Sequence, residues 1–155
     1  MSFHDATQVS DQGDGRYTAA IAEGWDIAGN ANGGYLMAIA ARAITETLGK
    51  PDPLTTTGHY LKPGRPGPIT VDVTTLRNGK RHGTASATLS SDGEPLLVVI
   101  GTATDLSLAS GPEQVDSVPP PIPDPDDCYR IEPTTTFPPP FMGRVELRIH
   151  PDDAG

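Results

Sequence analysis

Apolar and polar side chains alternate along this chain in ways that divide it into elements. Residues 16–24, Arg-Tyr-Thr-Ala-Ala-Ile-Ala-Glu-Gly, predict a modest opening strand. A turn-rich stretch follows, Ala28-Gly29-Asn30-Ala31-Asn32, and leads into residues 33–48. There Leu36, Ile39, Ala40, Ala43, Thr47 and Leu48 recur at helical spacing. Asn30 and Asn32 are N-cap residue types placed before the helix, and Gly49 followed by Pro51 supplies its stop. Residues 35–41 are apolar nearly all round, which predicts a buried helix rather than a surface one. At 1.5 Å per residue the helix spans roughly 24 Å, enough to cross a small sheet.

The next segments read as strands. Residues 54–62 come first and end at Pro63-Gly64-Arg65-Pro66-Gly67-Pro68. Ile69, Val71 and Val73 then alternate with Thr70, Asp72 and Thr74, the period-2 pattern of a half-buried strand. Asn78-Gly79 is a strong hairpin signal. The return strand places Ala85, Ala87 and Leu89 on one face, with Thr84, Ser86 and Thr88 on the other. Asp92-Gly93 predicts a second hairpin into Leu96-Leu97-Val98-Val99-Ile100, which reads as buried on both faces. The order is strand, buried helix, then four strands, the last three an antiparallel meander. The economical way to bury it is an α+β fold in which a curved antiparallel sheet wraps one long buried helix. A generic α+β sandwich is the alternative that periodicity alone does not separate.

Composition sharpens the boundaries. Of 17 Gly and 17 Pro in 155 residues, 14 Gly but only 6 Pro precede residue 110, and ten Pro fall within residues 110–140. The formal charge of −9 is also uneven, −3 over the first 109 residues and −6 over the last 46. Residues 1–109 are therefore expected to form one domain and residues 110–140 a Pro-rich acidic linker, extended where prolines cluster. Beyond it Val145, Leu147 and Ile149 alternate with Arg144, Glu146 and Arg148, so residues 141–155 read as the first strand of a truncated second domain. No apolar run approaches the roughly 20 residues of a membrane-spanning helix, and the first residues show no signal-peptide pattern. Cys128 is the only cysteine, which excludes a disulfide framework and a cysteine-based zinc site. His4, His82 and His150 have no metal-ligand spacing with one another, so no metal is expected. The acidic balance argues against nucleic acid as a partner. A cytoplasmic location is the expectation.

Three blocks carry a resemblance. They are Trp25-Asp26-Ile27-Ala28-Gly29-Asn30-Ala31-Asn32-Gly33-Gly34-Tyr35-Leu36-Met37-Ala38, Gly58-His59-Tyr60-Leu61-Lys62-Pro63-Gly64 and Leu76-Arg77-Asn78-Gly79-Lys80-Arg81. Together, over roughly residues 15–105, the chain resembles the acyl-CoA thioesterase family of double-hotdog proteins. The resemblance implies a hotdog fold, residues 1–109 being the first of two hotdogs and residues 141–155 the start of the second. It implies hydrolysis of the thioester of a fatty or other acyl-CoA to free acid and CoA, within fatty acid metabolism. It also implies a homodimer or pairing with another hotdog, because such domains set two helices side by side beneath a continuous sheet. A non-catalytic acyl-CoA binding module or partner subunit is the other reading. No separate cofactor is implied, coenzyme A being part of the substrate.

Thioester hydrolysis needs a polarised carbonyl and an activated water or nucleophile. The start of the helix is a sensible carbonyl site, because its free N–H groups point outward with partial positive charge. The N–H groups around Gly34 and Tyr35 are the candidate oxyanion donors, Gly33 and Gly34 let a ligand approach the backbone closely, and Asn32 is a candidate anchor for water or substrate. The other reading of the glycines is a tight turn with close helix–sheet packing. His59, on a strand with Thr55 and Thr57 on its face, is the candidate base, whereas Asp26 reads more readily as a cap. The resemblance places the key residues of double-hotdog thioesterases largely in the second half. Lys62, Arg65, Arg77, Lys80 and Arg81, all flanking strand ends, are the candidate contacts for the phosphates of coenzyme A.

Overall fold

The structure, a computed structural model, describes residues 1–132 and 139–153. Two compact units divide it, Met1–Leu108 and Ala109–Gly155. The first unit begins with a one-turn helix, α1 (Phe3–Ala6), closed by a capping box between Ser2 and Asp5. Strands β1 (Ser10–Asp11) and β2 (Arg16–Ile21) come next, then a small hairpin, β3 (Asp26–Ile27) and β4 (Asn30–Ala31). Helix α2 (Gly33–Leu48) follows, and then β5 (Asp52–Tyr60), β6 (Gly67–Asn78), β7 (Gly83–Ser91) and β8 (Glu94–Thr104). Six strands form one antiparallel sheet in the order β1-β2-β6-β7-β8-β5, with β5 at an edge.

Helix α2 runs over the residues its periodicity predicts, and its ends have clear causes. The Asn32 side chain accepts the Tyr35 N–H at 3.1 Å as N-cap. Gly49 adopts the left-handed conformation, φ 61° and ψ 35°, that ends many helices and favours glycine. The helix packs against β2, β5, β6, β7 and β8, so the sheet wraps it as a hotdog. Its buried stripe is Tyr35, Leu36, Ile39, Ala40, Ala43, Ile44 and Leu48. The stripe meets Val71 and Val73 of β6, Ala85, Ala87 and Leu89 of β7, and Leu97, Val99 and Ala103 of β8, all buried. The helix is not covered all round, however. Met37, Ala38, Ala41 and Arg42 are only half-buried within this unit.

Two further expectations change. Leu97 and Val99 face the helix, and a register shift near Leu89/Ser90 turns Leu96 inward as well, but Val98 is half-buried and Ile100 is 52% exposed. Strand β8 is thus covered on one face only. The Asn78-Gly79 pair does not make a two-residue turn, because β6 ends at Asn78 and β7 begins at Gly83. The side-chain amide of Asn78 instead donates to the Leu48 carbonyl at 3.0 Å, closing the helix terminus. Asp92-Gly93 does join its strands directly, with φ of 50° and 79° as a type I′ turn requires.

In the second unit, residues 112–124 contain no helix or strand. The strand expected through Val145, Leu147 and Ile149 is reduced to β10 (Arg148–Ile149), which pairs with β9 (Tyr129–Arg130). A tight turn interrupts the alternation, the Leu147 N–H donating to the Val145 carbonyl at 2.6 Å. Two expected features, Pro138 of the second proline cluster and the final Gly155, lie outside the described residues. Among the described residues no helix is long and apolar enough to cross a membrane.

Ile39 is fully buried at the centre of the stripe. Ile39→Ala is expected to cost about 2–5 kcal/mol in urea unfolding, whereas Thr74→Ala on the exposed side of β6 changes stability by less than about 0.5 kcal/mol.

Candidate functional site at the start of the central helix

Four chain segments converge where α2 begins. In the β3–β4 hairpin the Asp26 carboxylate accepts the Gly24 N–H at 3.1 Å and the Gly29 N–H at 3.0 Å. Asp26 therefore shapes the loop that delivers the helix start, with both oxygens engaged. The Asn32 N–H donates to the Trp25 carbonyl at 2.9 Å and the Ala31 N–H to the Gly64 carbonyl at 2.8 Å. These bonds bring the loop after β5 against the hairpin. Tyr60, the last residue of β5, donates its hydroxyl to the Gly33 carbonyl at 2.7 Å.

The helix N-terminus divides its N–H groups between structure and solvent. The Tyr35 N–H is taken by the Asn32 cap, and the Leu36 N–H by the Asn32 carbonyl at 3.1 Å. The N–H groups of Gly33 and Gly34 have no hydrogen-bond partner among the described residues, and Gly34 is exposed. Of the two expected donors Gly34 keeps a free N–H, as does its neighbour Gly33, whereas Tyr35 contributes something different. The Tyr35 ring stacks on Trp25 with centroids 5.2 Å apart, and Phe3 in turn packs on Trp25 at 5.4 Å; the Tyr35 hydroxyl lies at the far end of the ring. That hydroxyl donates to the Ala6 carbonyl at 2.8 Å, lies 3.2 Å from the Ala20 carbonyl, and accepts the Ala22 N–H at 3.0 Å. Tyr35 ties α1 and β2 to the first turn of α2.

The other expected site residues separate. Gly58 and Tyr60 face the helix: a Cβ at Gly58 would meet Met37 and Leu97, and the Tyr60 ring covers Gly33. Alternation along β5 puts His59, Thr57 and Thr55 on the opposite, exposed face. Within this chain His59 thus points away from the helix start. Lys62 and Arg65 lie in the β5–β6 connection beside the helix start, and Lys62 is paired with Glu94. Arg77, Lys80 and Arg81 lie at the other end of the sheet, where Asn78 meets the helix C-terminus. The five cations form two groups, one at each end of α2.

The residue that strand reading passed over is Tyr60. It follows His59 directly, so the alternation that turns His59 outward turns Tyr60 toward the helix start, where it stays half exposed. An inward Gly58 was the available signal. An open depression of about 340 Å³ lies along α1, β1 and β2, lined by Asp5, Ala6, Gln8, Thr18 and Ala20 among others, and contains none of the expected site residues. Among the described residues no group of three or more His, Cys, Asp or Glu is placed to hold a metal ion.

Residues 21–105, which hold the hairpin, the helix and the four strands after it, match the family model of the acyl-CoA thioesterase N-terminal domain. The chain belongs to that family. No curated protein is matched by this sequence. Among solved structures, a proposed thioesterase II from Thermobifida fusca is similar, with 27% identity, a TM-score of 0.86, and coverage of 97% of this chain and 55% of that one. A hotdog-fold protein of unknown function from Alicyclobacillus acidocaldarius aligns at 21% identity and TM-score 0.78, over 91% of this chain and 52% of that one. A hypothetical thioesterase protein from Streptococcus pneumoniae, solved with coenzyme A, aligns at 19% identity and TM-score 0.52, over 63% of this chain and 87% of that one. The thioesterase N-terminal domain chain described here thus spans about half the length of the first two relatives.

Burial pushes the Tyr35 phenol above its ordinary pKa of 10.0. The folded state holds that proton more tightly than the unfolded chain does. Its contribution to stability is therefore complete below about pH 10 and is lost as pH rises through the higher folded value. Tyr35→Phe is expected to lower stability by about 1–3 kcal/mol at neutral pH, as the Ala6 carbonyl, the Ala20 carbonyl and the Ala22 N–H lose their hydroxyl partner. It is also expected to shrink the alkaline loss above pH 10, both effects being read from denaturant midpoints across pH.

Proposed function

We propose that this domain takes part in hydrolysis of acyl-CoA thioesters, a fatty or other acyl-CoA yielding free acid and CoA. The observation that carries the reading is the pair of unpartnered N–H groups on Gly33 and Gly34 at the exposed start of a buried helix, in a family of thioesterase domains. A thioester carbonyl seated there gains negative charge on its oxygen as water attacks, and the N–H groups with the helix dipole stabilise it. Asn32 keeps its carbonyl oxygen on the Tyr35 N–H, leaving its amide N–H₂ to orient water or substrate. Lys62 and Arg65, at the same end, are the nearer candidates for the phosphates of coenzyme A, while Arg77, Lys80 and Arg81 serve the opposite end.

The general base is assigned to a second hotdog. Asp26 is committed to two loop N–H groups, and His59 lies on the outer face of β5. A second hotdog, in a partner chain or a longer protein, also covers what this unit leaves open: the edge of β5 and the half-buried Met37, Ala38 and Ala41 of α2. The reaction is placed in the cytoplasm, in fatty acid metabolism.

Acyl-CoAs of graded chain length, incubated with the chain and a thiol-detecting reagent, test this reading. Release above background is expected for at least one chain length, and its absence across the series counts against activity of the chain as it stands. Asn32→Asp retains a capping oxygen and adds negative charge at the helix start. The melting temperature is expected to hold or rise, while turnover falls at least about tenfold because the carboxylate repels the developing oxyanion. Light scattering at micromolar concentration is expected to report a dimer, and a monomer there overturns the pairing of two copies.

A further inference from the structure

The Gly33–Gly34 peptide is held at its carbonyl end and open at its N–H end. Its carbonyl oxygen accepts the Tyr60 hydroxyl at 2.7 Å, while its N–H has no partner among the described residues. In a planar trans peptide these two groups point in opposite directions, so fixing the oxygen fixes the line along which the N–H points. The same oxygen also serves the first turn of the helix, using its second lone pair.

We infer that Tyr60 is a positioning residue for the oxyanion donor, acting on the Gly34 N–H through the Gly33 carbonyl. The inference rests on the thioester reading above. Hydrogen bonds in series polarise one another: electron density drawn toward the carbonyl oxygen leaves the N–H of the same peptide a stronger donor. An independent observation supports the pairing. A Cβ at Gly33 would lie 3.0 Å from the Tyr60 hydroxyl oxygen and 3.1 Å from Cε1 and Cζ. A Cβ there would require the half-exposed Tyr60 ring to shift by a few tenths of an ångström, so glycine at position 33 is what lets the ring pack this closely. Burial raises the Tyr60 phenol above its ordinary pKa, which keeps the hydroxyl protonated and donating across the neutral range.

Tyr60→Phe keeps the ring and removes only the donor, and the test compares it with the wild-type 155-residue chain. Hexanoyl-CoA hydrolysis is followed with a thiol reagent, and the Gly34 amide is followed in a ¹⁵N–¹H correlation spectrum of the labelled protein. The expected result is a fall in kcat of about fivefold with KM unchanged, the size of one neutral hydrogen bond. The Gly34 cross-peak is expected to move, while cross-peaks from the far end of α2 stay in place. Gly33→Ala, which displaces the ring, is expected to lower kcat to a similar extent, and the Gly33→Ala/Tyr60→Phe double variant to fall little further. An unmoved Gly34 cross-peak overturns the inference, as does a moved one with unchanged kcat, or an effect confined to KM. A wild-type chain that releases no thiol from any acyl-CoA overturns activity of the chain as it stands and, with it, the catalytic consequence of Tyr60. In that case the Gly34 cross-peak still decides whether Tyr60 holds the peptide.

Discussion

Everything at the candidate site depends on how closely α2 can settle into the sheet. The contact is made by small residues as much as by large ones. Ala40 and Ala43 are buried on the helix, as are Ala85 and Ala87 on β7, and a Cβ at Gly101 of β8 would already press on Ile44 at 3.0 Å. That close approach locates the helix axis, and the axis locates the first turn. Dispersion contacts and burial of the stripe supply the driving force, while Asn32 and Gly49 set where the helix begins and ends.

The helix start is then assembled by hydrogen bonds made to backbone groups. Asp26 braces a hairpin, Ala31 and Asn32 donate to neighbouring carbonyls, and the Tyr35 hydroxyl binds α1 and β2. What remains open is two N–H groups of one helical turn. In the proposed reaction such a site would stabilise developing negative charge without a full positive charge beside it, which suits a transient oxyanion better than a tightly held anion.

Much of this was readable before any coordinates. The helix limits follow from Asn32, Gly49 and the apolar spacing, and the inward faces of β6 and β7 from strict alternation. The parts that were not readable depend on contacts distant in sequence. Asn78 looks like a turn residue locally, yet Leu48, 30 positions away, engages its amide. Residues 96–100 look buried on both faces, because nothing local says that the sheet's outer side lacks a cover. His59 stood out as a titratable group, whereas Tyr60 gains its place only when β5 is laid against α2. The cations flank strand ends in the sequence, but antiparallel order sends them to opposite ends of the helix.

Strand β5 combines two duties. It is the edge strand of the sheet, and its last residue holds the first peptide of the helix. Side chains alternate along a strand, so a one-residue change of register against β8 would exchange the faces of His59 and Tyr60. Whatever pairs with the free side of β5 therefore also constrains the alignment of the helix start. The sheet edge that a partner strand would join and the candidate site at the helix start are thus carried by one and the same strand.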